Sequence, residues 1–149
     1  MSTFKADLLI KDNEGKPIAV IEVQSRHNLS SDVATEIRRT LLEHGLPAQI
    51  PYFLLLSQDD GYLWKGSVQL MPDSPPMYHF PMNSVIHRYS LKEPDQRLFA
   101  SELELLMLHW LANLSMKQPE TPEEPEKTLA QAGFNESIKN GMVLIEEGI

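Results

Sequence analysis

No cysteine occurs in the sequence, which excludes disulfides, thiolate-held zinc or iron–sulfur sites and the cysteine-nucleophile enzymes. No uncharged apolar run is long enough to cross a bilayer, and Met1-Ser2-Thr3-Phe4-Lys5 lacks the basic and apolar layout of a signal peptide. A cytoplasmic protein with no membrane partner is the expectation. A glycine-rich phosphate loop is missing too, because Gly61-Tyr62-Leu63-Trp64-Lys65-Gly66-Ser67 has the wrong spacing. The histidines at 27, 44, 79, 87 and 109 show neither His-x-His nor His-x-x-x-His spacing, so a histidine metal site is not expected. Ser30 and Ser31 have no nucleophile-elbow context.

Positive charge is also scarce, with 13 Lys and Arg against 21 Asp and Glu and a net charge of −8. Its distribution matters more than its sum. Residues 1–57 carry a net −1, 58–117 a net −2 and 118–149 a net −5. The salt-sensitive grip of a basic nucleic-acid binder is therefore not expected, while weak, metal-dependent contact with phosphates is compatible with the near-neutral first part. A chain of 149 residues has room for one domain with a modest core.

What the sequence does contain is a pair of apolar runs, each carrying one acid, in Phe4 to Gln24. The first predicts a strand over Phe4 to Ile10, with Phe4, Ala6, Leu8 and Ile10 on one face and Lys5, Asp7 and Leu9 on the other. The second, Ile18 to Val23, is short and β-branched behind Pro17 and predicts a buried strand, with Glu22 and Gln24 on one face. Between them, Asp12-Asn13-Glu14-Gly15-Lys16 is turn chemistry and predicts an antiparallel hairpin.

If the loop is Asn13 to Lys16, Asp12 faces Pro17, Lys11 faces Ile18, and Asp7 falls opposite Glu22. A loop of three or five residues without a bulge would put the acids on opposite faces. Paired carboxylates repel unless a cation lies between them or one keeps its proton. Mg²⁺, or Mn²⁺, suits such a pair, since a hard ion takes one or two carboxylates and completes its shell with water and phosphate oxygen.

An acid on one strand followed on the next by Glu-x-Lys is the signature of the PD-(D/E)xK nucleases, the restriction-endonuclease-like superfamily. Ala6-Asp7 and Glu22-Val23-Gln24 resemble it, over roughly Lys5 to Lys65. Two departures stand out: Gln24 occupies the lysine position, and the helix that usually precedes the first catalytic strand, often carrying another acid, has no room before Phe4. The resemblance implies an α/β (α+β) fold with a restriction-endonuclease-like core: a mixed sheet, a hairpin, a crossover helix and a parallel strand, with a C-terminal helical region beyond. It also implies a metal-dependent endonuclease acting on DNA, with Asp7, Glu22 and the Val23 carbonyl holding Mg²⁺ and Gln24 helping to place the attacking water. No sequence specificity is expected. The alternative is a nuclease-like module without catalysis, inactive or truncated, whose uncovered sheet face binds a partner or a second copy as a homodimer.

Further along, Ser30, Ser31 and Asp32 offer helix N-caps, Val33, Ile37 and Leu41 recur at helical spacing, and Gly45 supplies a stop, so a helix is predicted over Asp32 to His44. Arg26, Arg38 and Arg39 are read as solvated, paired in part with Glu36 and Glu43, with phosphate contact as the other reading. Tyr52 to Ser57 reads as a central strand parallel to the Ile18 strand, and Tyr62 to Lys65 as a strand returning beside it. Gly66 to Pro94, interrupted by prolines, reads as irregular. A buried apolar helix is predicted from about Asp95 to Met116, packed on the sheet or on a partner. This divides the chain into a nuclease-like domain over 1–117, an acidic Pro-rich solvated linker over 118–127, and a tail over 128–149 with a helix through Ile138 and a strand or docking segment at Met142 to Ile145.

Overall fold

The computed structural model describes residues 4–66, 70–90, 92–93 and 96–149. Met1 to Thr3, Ser67 and the expected helix start at Asp95 lie outside the described residues. Six strands form one mixed sheet: β1 (Leu8–Lys11), β2 (Pro17–Val23), β3 (Tyr52–Leu56), β4 (Asp60–Lys65), β5 (Tyr78–Pro81) and β6 (Met142–Ile145), in the order β5-β4-β3-β2-β1-β6. β2 and β3 run parallel, joined through α1 (Ser31–Glu43), and every other neighbouring pair is antiparallel. The hairpin, the crossover helix and the parallel central strand were all predicted from the sequence, and the fold is of the mixed α/β kind.

The period of two within the strands divides the apolar residues between two cores. Ala19, Ile21, Leu54 and Leu56 face α2 (Asn83–Tyr89), α3 (Ala100–Met116), α4 (Glu126–Gln131) and α5 (Phe134–Ser137), while Val20, Phe53 and Leu55 face α1. Both sheet faces are thus covered, and the open face expected from the sequence is not found among the described residues. Nor is any described helix long and apolar enough to cross a membrane.

Helix α1 starts where Ser30 Oγ accepts the Val33 N–H at 3.2 Å, and it ends at Gly45, whose φ of +104° only glycine adopts without strain. Its inner face is broader than the predicted one: Val33, Ile37, Leu41 and Leu42 do pack against the α1-side core, and two further residues are buried more deeply. Ala34 and Arg38 are buried, whereas Val33, Ile37 and Leu41 are only half-buried. Arg38 is not solvated: its guanidinium lies 5.6 Å from the centroid of the Trp64 ring and Nη1 donates to Met71 O at 3.1 Å. Arg39 does stay at the surface, 3.6 Å from Glu36.

The stretch read as irregular contains β5 and α2. Its prolines hid them: Pro81 closes an edge strand whose far side needs no ladder partner, a place that tolerates proline. The expected helix through Ile138 is two pieces, α4 and α5, separated by Gly133 at φ 85°. Nor is the end of the acidic stretch solvated. Pro125 and Glu126 are buried, and Glu126 accepts Arg88 Nη2 at 2.7 and 3.0 Å and Trp110 Nε1 at 3.1 Å. Met142 to Ile145 joins the sheet as β6, antiparallel to β1.

Candidate active site

The sheet forks at Asp7. From Leu8 onward β1 pairs with β2, Leu8 opposite Ile21 and Leu9 opposite Val20. Upstream, the backbone leaves β2 and follows the C-terminal segment: Ala6 N–H donates to Glu147 O at 3.0 Å, Ile149 N–H to Phe4 O at 2.9 Å, and Lys5 bridges Gly148. A bend at Asp7 makes the change of partner, and it overturns the predicted facing. Phe4 and Ala6 join Leu9 in the α1-side core, while Leu8 and Ile10 lie in the other.

Both acids work at this fork. Asp7 Oδ2 accepts the Val23 N–H at 2.9 Å, and the Asp7 N–H donates to Glu22 Oε2 at 3.2 Å. The sequence-derived register therefore holds where it matters, though for a different reason. Lys11 faces Pro17 rather than Ile18, and an irregularity between Ile10 and Lys11 absorbs the extra residue of the longer turn. Such a bulge restores the side-chain phase that a five-residue loop would otherwise invert.

Glu22 is buried, with 6% of its surface exposed. Burial, then the hydrogen bond and negative charge of Asp7 and finally the charge of Glu104, push its pKa from 4.5 up to about 9; the backbone hydrogen bond at Asp7 pulls the other way. Glu104, half-buried on α3, is raised as well, by burial first and then by the charges of Asp7 and Glu146 and a hydrogen bond with Asp7. Carboxyl groups just before β1, on β2, on α3 and just after β6 are thus near enough to influence one another. None of the five ion pairs among the described residues involves these four acids.

Oxygen donors with no counter-charge fit a hard divalent cation. No three His, Cys, Asp or Glu side chains among the described residues are gathered closely enough to ligate a single ion. Asp7 and Glu22 therefore stand as a pair with two acidic neighbours, which suits an ion that takes one or two protein carboxylates and keeps its waters.

Gln24 follows the end of β2, half-buried, with its N–H donating to Leu56 O at 2.8 Å. Its side chain makes no hydrogen bond among the described residues. Val23, between the two, has its N–H occupied by Asp7. Of the other sequence candidates, Arg26 and His27 are exposed, Arg38 is used in the core, and Ser30 is used as a cap. Glu104 and Glu146 were missed. Glu104 had a signal, a charge set among Leu103, Leu105 and Leu106 in the most apolar helix. Glu146 had none, since only the pairing of β6 with β1 brings it near.

Comparison with protein-family models, with curated proteins and with solved structures gives no significant match.

Proposed function

We propose that the chain is a metal-dependent phosphodiesterase of the PD-(D/E)xK type, hydrolysing DNA without sequence specificity. The observation that carries this reading is the interlocked pair at the fork, Asp7 against Val23 and Glu22 against Asp7, with Glu104 raised beside it. Asp7, Glu22 and the Val23 carbonyl would hold Mg²⁺ or Mn²⁺. When bound, the ion would supply a water of lowered pKa and neutralise charge developing on the phosphate.

The remaining tasks fall to the chain itself. Burial and the surrounding acids favour the protonated form of Glu22 in the absence of a counter-charge, and a bound cation would favour its carboxylate instead. Backbone hydrogen bonds hold the pair in place, so little ordering remains when substrate arrives. Helix α3, later in the chain than the strands, brings Glu104 to the site; the resemblance expects such an acid from a helix that precedes them. Gln24 can orient water or a phosphate oxygen through its amide, but it lacks the positive charge of lysine, and slower turnover follows.

The test is nicking of supercoiled plasmid with Mg²⁺ or Mn²⁺, beside Glu22→Ala and an EDTA control. Metal-dependent nicking that is lost in the variant supports the reading, and activity retained by a folded Glu22→Ala protein overturns it. Gln24 also favours a second reading, a nuclease-like module that binds without cleaving. A folded wild-type protein that binds DNA but leaves it intact would point there.

A further inference from the structure

A cleft of about 660 Å³ opens between the C-terminal ends of α2 and α3 and the start of α4, a size common among small-molecule sites. It is separate from the fork: Asn113, in its lining, comes nine residues after Glu104 on α3, about 14 Å along the helix axis. Its polar groups are held from behind. Glu126, buried in the lining, has both oxygens occupied, by Arg88 Nη2 at 2.7 and 3.0 Å and by Trp110 Nε1 at 3.1 Å. Arg88 Nε donates in turn to Ser84 O at 3.3 Å. Two of the three guanidinium nitrogens are thereby fixed, and Nη1 has no partner among the described residues, on a side chain that is 43% exposed. Tyr89 Oη accepts the Asn113 amide at 2.9 Å, so its own proton is left to donate. Lys117, exposed in the same lining, forms none of the ion pairs among the described residues.

We propose that this cleft binds a small organic anion, a phosphate monoester or a carboxylate carried on an apolar or aromatic body. Three free donors line it, two of them cationic: Arg88 Nη1, the Tyr89 hydroxyl and the Lys117 ammonium. They take the headgroup, and Leu114 and the exposed Met116 offer an apolar wall to the body. A cationic ligand would meet these two positive charges and find the Glu126 carboxylate already neutralised by Arg88. Glu120, the other acid of the lining, is exposed, where water and salt screen it. Arg88 is fixed before the ligand arrives, so little side-chain freedom is lost on binding. A guanidinium needed only as the counter-charge of Glu126 would explain neither the cleft beside it nor the second cation, since Lys117 has no such partner among the described residues. This inference is independent of the nuclease reading, because no residue of the cleft belongs to the fork.

The two tryptophan indole N–H signals in a nitrogen-15 correlation spectrum test it, told apart by a Trp110→Phe spectrum. Trp110 lines the cleft, whereas Trp64 belongs to the core on the other face of the sheet and serves as the internal reference. The full chain is titrated with phenyl phosphate and with benzoate, and with benzyl alcohol as the uncharged control. Saturable movement of the Trp110 signal is expected with at least one of the two anions, with Trp64 unmoved and benzyl alcohol without effect. Lys117→Gln removes an exposed charge, and Arg88→Lys keeps a counter-charge for Glu126 but has no further nitrogen for a ligand, so both leave the chain folded, as the amide dispersion will show. Each is expected to weaken binding by about tenfold or more. The proposal is overturned if neither anion binds saturably, if benzyl alcohol moves Trp110 as strongly, or if binding is unchanged in both folded variants.

Discussion

The Asp7 carboxylate accepts the Val23 N–H at 2.9 Å, in the gap left where the backbone of β1 turns away from β2. A catalytic candidate is therefore also part of the sheet. Asp7→Asn keeps an acceptor for that N–H, whereas Asp7→Ala leaves it unpaired. We expect Asp7→Ala to lose about 1–3 kcal/mol of stability and Asp7→Asn clearly less. Urea denaturation of the two variants checks this, and equal losses would mean that the hydrogen bond does not hold the fork.

The raised pKa of Glu22 makes stability depend on pH in a defined direction. Its folded value of about 9 lies above the ordinary 4.5, so across that interval the folded protein keeps a proton that the unfolded chain has released. This contribution is fully present below the lower value, is lost as pH rises towards the upper one, and is constant beyond it. Metal-free protein should show a thermal midpoint that falls through this window, and Glu22→Gln should flatten the fall. Mg²⁺ should raise the midpoint most at its alkaline end, where the cation competes least with the proton. Scanning calorimetry with and without the ion gives the answer.

Arg38 contributes to the fold rather than to a phosphate contact. It is 3% exposed, donates to Met71 O and packs on Trp64. Arg38→Ala is expected to cost about 1–3 kcal/mol through lost packing on Trp64 and the lost hydrogen bond to Met71 O, which keeps the Ser74 N–H. The stability loss would be measured by denaturant unfolding, and DNA affinity in the folded variant should be unchanged. A weaker affinity without a stability loss would contradict the assignment.

Glu126 makes a similar case at the other end of α3. Its buried carboxylate takes hydrogen bonds from Arg88 and Trp110, tying α2, α3 and α4 together. Glu126→Ala strands the indole N–H, but Arg88 is 43% exposed and can rehydrate, so the expected loss is about 1–3 kcal/mol. Glu126→Gln, which keeps an acceptor, should lose less in the same unfolding measurement.

These outcomes separate what was legible in the sequence from what was not. The hairpin, α1 and the parallel strand were readable because β-branched runs, an N-cap serine and a stop glycine are local signals. The meeting of Asp7 and Glu22 was also foreseeable, since one register aligned them, although the turn reaches that register through a bulge. The fork was not foreseeable. It depends on Phe4 to Ala6 choosing the C-terminal segment over β2, a contest between partners more than a hundred residues apart in sequence. Arg38 illustrates the same limit: helical spacing marked Val33, Ile37 and Leu41 as the inner face, but the Trp64 ring and the Met71 carbonyl provide a buried place for a guanidinium that no local pattern announces.

The claim on which the functional account rests is that the Asp7–Glu22 pair takes a divalent cation in place of a proton. Isothermal titration of metal-free protein with Mn²⁺, repeated in buffers of different ionisation enthalpy, tests it directly. The expected result is saturable binding with proton release, weakened in Glu104→Gln and abolished in Glu22→Gln. Absence of saturable binding, or binding unchanged in Glu22→Gln, would contradict the account.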